Sequence, residues 1–358
     1  ELYTLASNLR IPFAFVSPAE VENPEATTEK LAEILQIEKD EVILKLQNKS
    51  SLFEIVKKRI SEEEARKIQE LKFAGVYVGE EQVRSYPQAG LAAHVLGFTN
   101  QDGQGQYGVE EYFNGVLEGK EGIKARDGSD VVLTLDYNIQ SVAESLLEKA
   151  QASLGIEEGT IIVMDPSSGK ILALASRPTF DPNEYSKVEH LALFQNPAIQ
   201  KIHEPGSIFK PITMASALDT KALTPQTTFV DEGTVRIGGS KITNYDQRVW
   251  GERTMTEVLE FSINTGAVFA ERKLGHEKFL EYVEKFGIFE PTNIELAGEV
   301  FSRNTEFKKG YEVNFSTAAF GQGIEMTAMQ VVRAFSAIAN SGILVNPFIV
   351  EGSQNEKR

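Results

Sequence analysis

The chain has 358 residues, and its 52 aspartates and glutamates outnumber 36 lysines and arginines, giving a net charge of −16 and a pI of about 4.9. This acidic balance argues against a nucleic-acid partner, because phosphate binding needs a basic surface. The absence of cysteine excludes disulfides, thiolate zinc sites and a cysteine nucleophile. The length predicts two or more domains.

The histidines give no indication of a metal site. Their positions are scattered, without the spacing of metal ligands, so neither a metal ion nor another cofactor is expected. They are His94, His190, His203 and His276. The chain also contains no signal peptide and no run of about 18 apolar residues that would cross a membrane.

The first part of the chain is predicted to mix short strands and helices, and it shows no catalytic constellation. Asn23 and Pro24 form an N-cap and first-turn pair. Ser61 opens a capping box with Glu64. The pattern predicts strands at residues 11–16, 76–78 and 83–87, and helices at residues 24–35, 40–47 and 62–72.

The pattern becomes more regular after residue 128. A strand at 131–135 is followed by a helix that Asp136 caps and that runs to about residue 154. The predicted apolar face of this helix comprises Ile139, Val142, Leu146 and Leu147. The apolar strands 160–164 and 170–175 flank an Asp-Pro-Ser-Ser-Gly turn, which predicts an antiparallel hairpin. An apolar sheet flanked by helices defines an α+β domain.

Residues 204–211 read Glu-Pro-Gly-Ser-Ile-Phe-Lys-Pro and contain the first candidate site. Ser207 and Lys210, three residues apart, share one helix face with Cβ atoms roughly 5–6 Å apart. A break at Pro205-Gly206 places Ser207 at the first turn, where free N–H groups favour negative charge. A serine nucleophile needs a base, and lysine can serve only if desolvation keeps part of it neutral. Ser-x-x-Lys alone is a weak signal, because it also occurs by chance on surface helices.

Two later stretches strengthen the catalytic interpretation. Residues 261–267 read Phe-Ser-Ile-Asn-Thr-Gly-Ala, so a helix at 254–261 delivers Ser262 and Asn264 on a loop that opens a helix at 267–274. The alternative for both residues is simple helix capping. Residues 319–324 read Ala-Phe-Gly-Gln-Gly-Ile and precede a predicted long helix at 326–341 and a strand at 343–350.

These stretches together resemble the transpeptidase domain of penicillin-binding proteins. Ser-x-x-Lys, Ser-Asp-Asn and Lys-Thr-Gly form the signature set of that family. The second element is Ser-Ile-Asn here, which fits the looser Ser-x-Asn of the wider family, and Lys-Thr-Gly is absent. Residues 84–98 and 105–112 closely resemble the end of the N-terminal pedestal of class B penicillin-binding proteins.

The resemblance implies domains, residue roles and a fold. Residues 1–125 would form a mixed pedestal domain of the dimerisation type. Residues 126–358 would form an α+β transpeptidase domain, incomplete at its C-terminus, with an antiparallel sheet flanked by helices and the serine on a central helix. Ser207 would be the acylated nucleophile and Lys210 its base. Ser262 would relay a proton to the leaving amine, and Asn264 would hydrogen-bond the substrate amide.

The activity implied by the resemblance is peptidoglycan cross-linking by a D,D-transpeptidase. It would acylate Ser207 with stem peptides ending in D-Ala-D-Ala, and β-lactam antibiotics would trap the same serine. Further partners would be a membrane glycosyltransferase and other cell-wall synthesis proteins, in cell division or cell shape. The protein would work on the extracytoplasmic face of the bacterial membrane, anchored by a transmembrane helix preceding Glu1.

Other interpretations stay open from the sequence. A β-lactam-sensing receptor domain carries the same serine and lysine, and a serine β-lactamase shares the chemistry but needs its own water-activating base. A catalytically silent scaffold fits the missing Lys-Thr-Gly. That motif would supply the carboxylate anchor, the strand along which the substrate lies and an oxyanion donor. We therefore expect residues 1–358 by themselves to be at best feebly reactive.

Overall fold

The computed structural model describes residues 2–117 and 129–354. The chain forms two compact units, Glu1–Gln88 and Ala89–Arg358. The domain boundary predicted between residues 125 and 126 lies outside the described residues and stays a prediction.

Strands and helices are mixed along the chain. The strands are β1 (Ser7–Val16), β2 (Glu54–Lys57), β3 (Val76–Ser85), β4 (Phe98–Thr99), β5 (Gly105–Gln106), β6 (Asp130–Leu133), β7 (Gly159–Met164), β8 (Ile171–Arg177), β9 (Ile202–His203), β10 (Thr228–Asp231), β11 (Thr234–Ile237), β12 (Ser240–Thr243), β13 (Gly251–Thr254), β14 (Met326–Thr327) and β15 (Val350–Gln354). The helices are α1 (Pro24–Leu35), α2 (Lys39–Leu46), α3 (Glu62–Leu71), α4 (Ala93–Leu96), α5 (Gly108–Tyr112), α6 (Asn114–Leu117), α7 (Tyr137–Leu154), α8 (Pro197–Gln200), α9 (Lys210–Asp219), α10 (Met255–Glu260), α11 (Asn264–Leu274), α12 (His276–Lys285), α13 (Thr305–Lys308), α14 (Glu312–Ala318) and α15 (Ala328–Ala339). Short 3-10 turns include Gly206–Phe209.

The first unit is an antiparallel sheet in the order β2-β1-β3 with three helices. Alternate residues of β1, Ala14 and Val16, are buried against Leu31 and Leu35 of α1 and Ile68 of α3. The caps predicted for these helices are confirmed. Asn23 accepts from the N–H of Ala26, and Ser61 forms the reciprocal capping box with Glu64. The two strand pieces predicted at 76–78 and 83–87 are one continuous strand, β3.

The second unit contains the predicted antiparallel hairpin, β7 and β8, and the antiparallel pair β6 and β15. Residues 348–349 connect them, because the N–H of Ile171 donates to Phe348 O and the N–H of Thr134 donates to Ile349 O, at 3.0 and 2.9 Å. Helix α7 covers β8. The predicted strand at 343–350 is wrong in its bounds, since the strand begins only at Val350.

The apolar face predicted for α7 is only partly correct. Leu147 is buried, but Val142 is 58% exposed and Leu146 52% exposed. The helix instead turns Gln140, Ala143 and Leu147 inward. This face points inward because Gln140 forms hydrogen bonds with the backbone of β8. Its amide donates to Leu174 O at 3.0 Å and accepts from Leu174 N at 2.8 Å.

A helical core surrounds α9, as the α+β prediction required. Phe209, Ile212 and Ala217 are buried in one cluster with residues of α11, α12 and α15. The predicted helix at 326–341 is shorter, because Met326 and Thr327 pair with His203 and Ile202 as β14 and β9. This pairing brings the chain after the 319–324 stretch alongside the segment that leads to Ser207.

Candidate active site

Ser207 lies in the 3-10 turn Gly206–Phe209, immediately before α9. The turn is held by residues of the Gly321-Gln322-Gly323 stretch: the N–H of Gly206 donates to Gly321 O at 2.9 Å, and the N–H of Gly323 donates to Glu204 Oε1 at 2.8 Å. A Cβ at Gly321 would lie 2.1 Å from Gly206 O, and its φ is +79°. Only glycine permits both this approach and this backbone conformation.

Lys210 is buried at the beginning of α9, with 2% of its surface exposed. Its Nζ lies 3.1 Å from Ser207 Oγ, 2.9 Å from Ser262 Oγ and 2.6 Å from the backbone oxygen of Ser262. None of these three acceptors carries a negative charge. Burial therefore lowers the pKa of the Lys210 ammonium to about 8, which leaves a useful neutral fraction near pH 7.

Ser262 connects α10 and α11 with a left-handed backbone, at φ +55°. For a residue with a Cβ this conformation costs roughly 1–2 kcal/mol. Strain of this kind persists where the surrounding structure enforces it and is concentrated at functional sites. In this conformation the hydroxyl and the carbonyl of the same residue both contact Lys210.

Asn264 is the first residue of α11, and its Nδ2 donates to Thr243 O, at the end of β12, at 3.0 Å. The helix-capping alternative for Ser262 and Asn264 is wrong. The N-cap of α11 is Ile263, without a side-chain capping bond, and the two polar side chains point to Lys210 and Thr243 instead.

A cleft of about 750 Å³ opens beside these residues. Ser207, Ser262 and Asn264 line it, together with Gln322 from the glycine-rich stretch. An aromatic wall is formed by Trp250 and Phe261, whose rings stack 4.7 Å apart at 13°. The structure thus brings together all four residues selected from the sequence, and opens three of them to a cavity of ligand size.

Sequence reasoning did not find a buried polar network beside the cleft. It consists of Asp231, Asn244 and Thr265, which are 2%, 4% and 3% exposed. Their spacing in the chain follows no known motif. The only local signal is the Asn-Thr pair after Ser262, which the sequence places in a loop before a helix at 267–274, whereas in the structure α11 begins at Asn264.

Comparison with known proteins decides the family. The family model of the penicillin-binding protein transpeptidase domain matches residues 159–358, and that of the penicillin-binding protein dimerisation domain matches residues 3–130. The chain belongs to the class B penicillin-binding proteins. The family resemblance read from residues 84–112, 204–211 and 261–267 is therefore confirmed.

Relatives of this penicillin-binding protein occur in Bacillus subtilis and Neisseria meningitidis. It is 34% identical to stage V sporulation protein D of Bacillus subtilis, over 97% of this chain and 57% of that protein. It is 28% identical to a probable peptidoglycan D,D-transpeptidase, PenA, of Neisseria meningitidis, over 92% of this chain and 60% of that protein. The chain thus spans somewhat more than half the length of these relatives.

A solved structure shows the same fold. The crystal structure of penicillin-binding protein 2X from Streptococcus thermophilus superposes with a TM-score of 0.81 at 21% identity, over 98% of this chain and 58% of that one. The α+β prediction of a pedestal followed by a transpeptidase domain is confirmed as a fold. Among the described residues, no helix has the length and apolar character needed to span a membrane.

Proposed function

We propose that this penicillin-binding protein is a D,D-transpeptidase that cross-links peptidoglycan through an acyl-Ser207 intermediate. The observation that carries the proposal is the buried Lys210 amine, which lies 3.1 Å from Ser207 Oγ and whose hydrogen-bond partners in the described part of the chain are all uncharged. A lysine that is desolvated in this way can act as a general base near neutral pH.

The hydrogen bonds of Lys210 set the direction of proton transfer. The backbone oxygen of Ser262 can only accept, so one N–H of the amine is committed to it. A neutral amine keeps a second N–H for Ser262 Oγ and a lone pair for the hydroxyl of Ser207. In this arrangement Lys210 accepts the proton of Ser207, and the hydroxyl of Ser262 lies on the path by which that proton leaves Lys210.

In the acylation step, Ser207 Oγ attacks the carbonyl carbon of the penultimate D-Ala of a stem peptide. A C–O bond forms and the C–N bond to the terminal D-Ala breaks. The proton of Ser207 passes to Lys210 and through Ser262 to the leaving nitrogen, so that D-Ala departs with a neutral amino group and the enzyme keeps an ester. The N–H of Ser207, at the start of a helical segment, would be one donor to the developing oxyanion.

In the transfer step, an amine of a neighbouring stem peptide attacks the ester. Its C–N bond forms, the C–O bond to Ser207 breaks, and the amine's proton returns by the same path to Ser207 Oγ. Asn264 would orient the substrate: because Nδ2 donates to Thr243 O, Oδ1 is directed to accept an N–H of the bound peptide. A β-lactam would acylate Ser207 in the same way, but its amine stays tethered after the ring opens.

The alternative functions, a silent scaffold and a β-lactam receptor, differ from a transpeptidase in the reaction steps that Ser207 and Lys210 must perform. A silent scaffold has no need of a buried lysine next to serine, so the retained triad of Ser207, Lys210 and Ser262 favours an active enzyme. A receptor would be acylated but would transfer nothing. We place the enzyme at the extracytoplasmic face of the bacterial membrane, membrane-anchored and working with a membrane glycosyltransferase and other wall-synthesis proteins, since the glycan strands that carry its stem-peptide substrate are polymerised there.

The test is intact-mass spectrometry of the longest form that the gene encodes, after exposure to penicillin. We expect one adduct per chain, located on Ser207 by peptide mapping and absent from Ser207→Ala. A donor peptide ending in D-Ala-D-Ala and a labelled D-amino acid acceptor then separate the classes. Incorporation of the acceptor supports a transpeptidase, acylation without incorporation supports a receptor, and no adduct refutes both.

A further inference from the structure

A buried carboxylate lies beside the cleft at the end of β10. Asp231 Oδ1 accepts hydrogen bonds from Thr265 Oγ1 at 2.6 Å and from the N–H of Gly233 at 2.8 Å. Its Oδ2 accepts from Asn244 Nδ2 at 2.8 Å and from the N–H of Trp250 at 2.9 Å. All four donors are neutral groups, so the carboxylate is satisfied by hydrogen bonds and does not form part of an ion pair with them.

These bonds join three segments that are distant in sequence. Asn244 and Trp250 stand at the two ends of the loop 244–250, so a single oxygen of Asp231 closes that loop. Inside it, Asp246 and Gln247 are consecutive non-glycine residues with positive φ, +55° and +53°. Such a pair is strained and needs external restraint, which the two bonds to Oδ2 supply.

The other oxygen of Asp231 reaches the catalytic side of the cleft. Thr265 directly follows Asn264, and its N–H donates to Asn244 Oδ1 at 3.1 Å. Asn244 directly follows Thr243, whose carbonyl accepts from Asn264 Nδ2. The network therefore fixes both the backbone that carries Asn264 and the acceptor that orients its amide.

We propose that Asp231 is a positioning residue for Asn264, acting through Thr265 and Asn244. The proposal rests on the proposed function, in which Asn264 contacts the substrate amide. Without Asp231, the beginning of α11 and the end of β12 are no longer hydrogen-bonded to a common carboxylate. The orientation of the Asn264 amide is then no longer fixed. A misplacement of about 1 Å in a catalytic site can cost on the order of 100-fold in rate.

The network requires a carboxylate at this position and not merely a side chain of the same shape. Asparagine would present an NH2 group on one side, where it would face either the N–H of Gly233 or the N–H of Trp250. Each of these pairs sets donor against donor in a buried place, and a buried donor without an acceptor is costly. Asp231→Asn is therefore an isosteric change that disrupts the network alone.

The experiment measures the second-order rate constant of acylation by a fluorescent penicillin in the longest form that the gene encodes, with protein that circular dichroism shows to be folded. We expect Asp231→Asn to lower it by about 10- to 100-fold. Thr265→Val should lower it as well, and Thr265→Ser, which restores a hydroxyl, should recover most of that loss. The matched control is Glu299→Gln, a carboxylate that holds a loop by accepting from the N–H groups of Thr292 and Asn293, outside the cleft lining. It should leave the rate of the folded protein unchanged.

A double-mutant cycle separates positioning from a general loss of structure. If Asp231 acts through Asn264, adding Asp231→Asn to Asn264→Ala should lower the rate by less than about threefold further, because coupled residues are not additive. The same loss in both backgrounds, or a wild-type rate in Asp231→Asn, overturns the proposal while the proposed function stands. Should Asp231→Asn not fold, the cycle of Thr265→Val with Asn264→Ala gives the same decision. A wild-type protein that forms no adduct refutes the proposed function and this inference with it.

Discussion

Lys210 contacts Ser262 twice, at 2.9 Å through the hydroxyl and at 2.6 Å through the backbone carbonyl. The two contacts have different consequences. The carbonyl cannot donate and holds the amine in place in either protonation state, whereas the hydroxyl can both accept and donate and can pass a proton on. In the proposed mechanism, Ser262 would therefore orient Lys210 through its carbonyl and relay the proton through its hydroxyl, and both groups contact Lys210 from its left-handed backbone.

The first test concerns the base. We expect Lys210→Met to reduce acylation by fluorescent penicillin by about 10²–10⁴, the usual loss when a general base is removed. The melting temperature should stay within a few degrees, since methionine fills a similar volume and removes the cost of burying an amine. Lys278→Met, at an exposed lysine paired with Glu281, is the matched control and should acylate normally. Labelling of Lys210→Met at the parent rate would remove Lys210 from the mechanism.

The second test is the pH dependence of acylation. The pKa of Lys210 is lowered by burial to about 8. Below that pH the ammonium has no lone pair to accept the Ser207 proton, and above it the neutral amine dominates. The second-order rate constant should therefore rise by about tenfold between pH 7 and pH 9 and then level off, reporting a group of the free enzyme. A profile that is flat or falls over this range contradicts a lysine base.

The third test separates the chemistry of Ser262 from its strain. Ser262→Ala and Ser262→Gly both delete the hydroxyl, so both should lower acylation to a similar extent. They differ in backbone preference, because glycine adopts φ +55° without penalty and alanine does not. We expect the glycine variant to be more stable than the alanine variant by roughly 1 kcal/mol, measured by urea unfolding. Equal stabilities would mean that the backbone of Ser262 relaxes when the hydroxyl is lost.

The sequence predicted the site better than it predicted the surroundings of the site. Ser207 and Lys210 meet through local helical geometry, which a spacing of three residues determines. Bringing Ser262 and Asn264 to them depended on the family resemblance, because no local rule relates residues that far apart. Asp231 could not be found, since its partners Asn244, Trp250 and Thr265 come from two other segments of the chain and no local rule relates residues that far apart.

Boundaries were missed where tertiary pairing determines them. Met326 and Thr327 are predicted as the start of a helix, but they pair with His203 and Ile202, and the helix begins two residues later than predicted, behind its Thr327 capping box. Residues 343–349 are apolar enough for a strand. In the structure, however, residues 348–349 bond to both the end of β6 and the start of β8, and regular pairing begins only at Val350.

The last test concerns α7, where hydrophobic periodicity predicted the wrong inward face. Gln140 is buried and pairs both backbone groups of Leu174, whereas Val142 is mostly exposed. Gln140→Leu makes the helix more apolar on its buried side, yet it leaves one buried N–H and one buried C=O without partners. Each such group costs about 1–3 kcal/mol, so for the two groups we expect a loss of about 2–6 kcal/mol in the free energy of unfolding, measured in urea. Val142→Gln, the matched exchange on the exposed face, should change stability by less than about 0.5 kcal/mol. If Gln140→Leu proved neutral and Val142→Gln destabilising, the face predicted from periodicity would be correct and the polar account of α7 would be wrong.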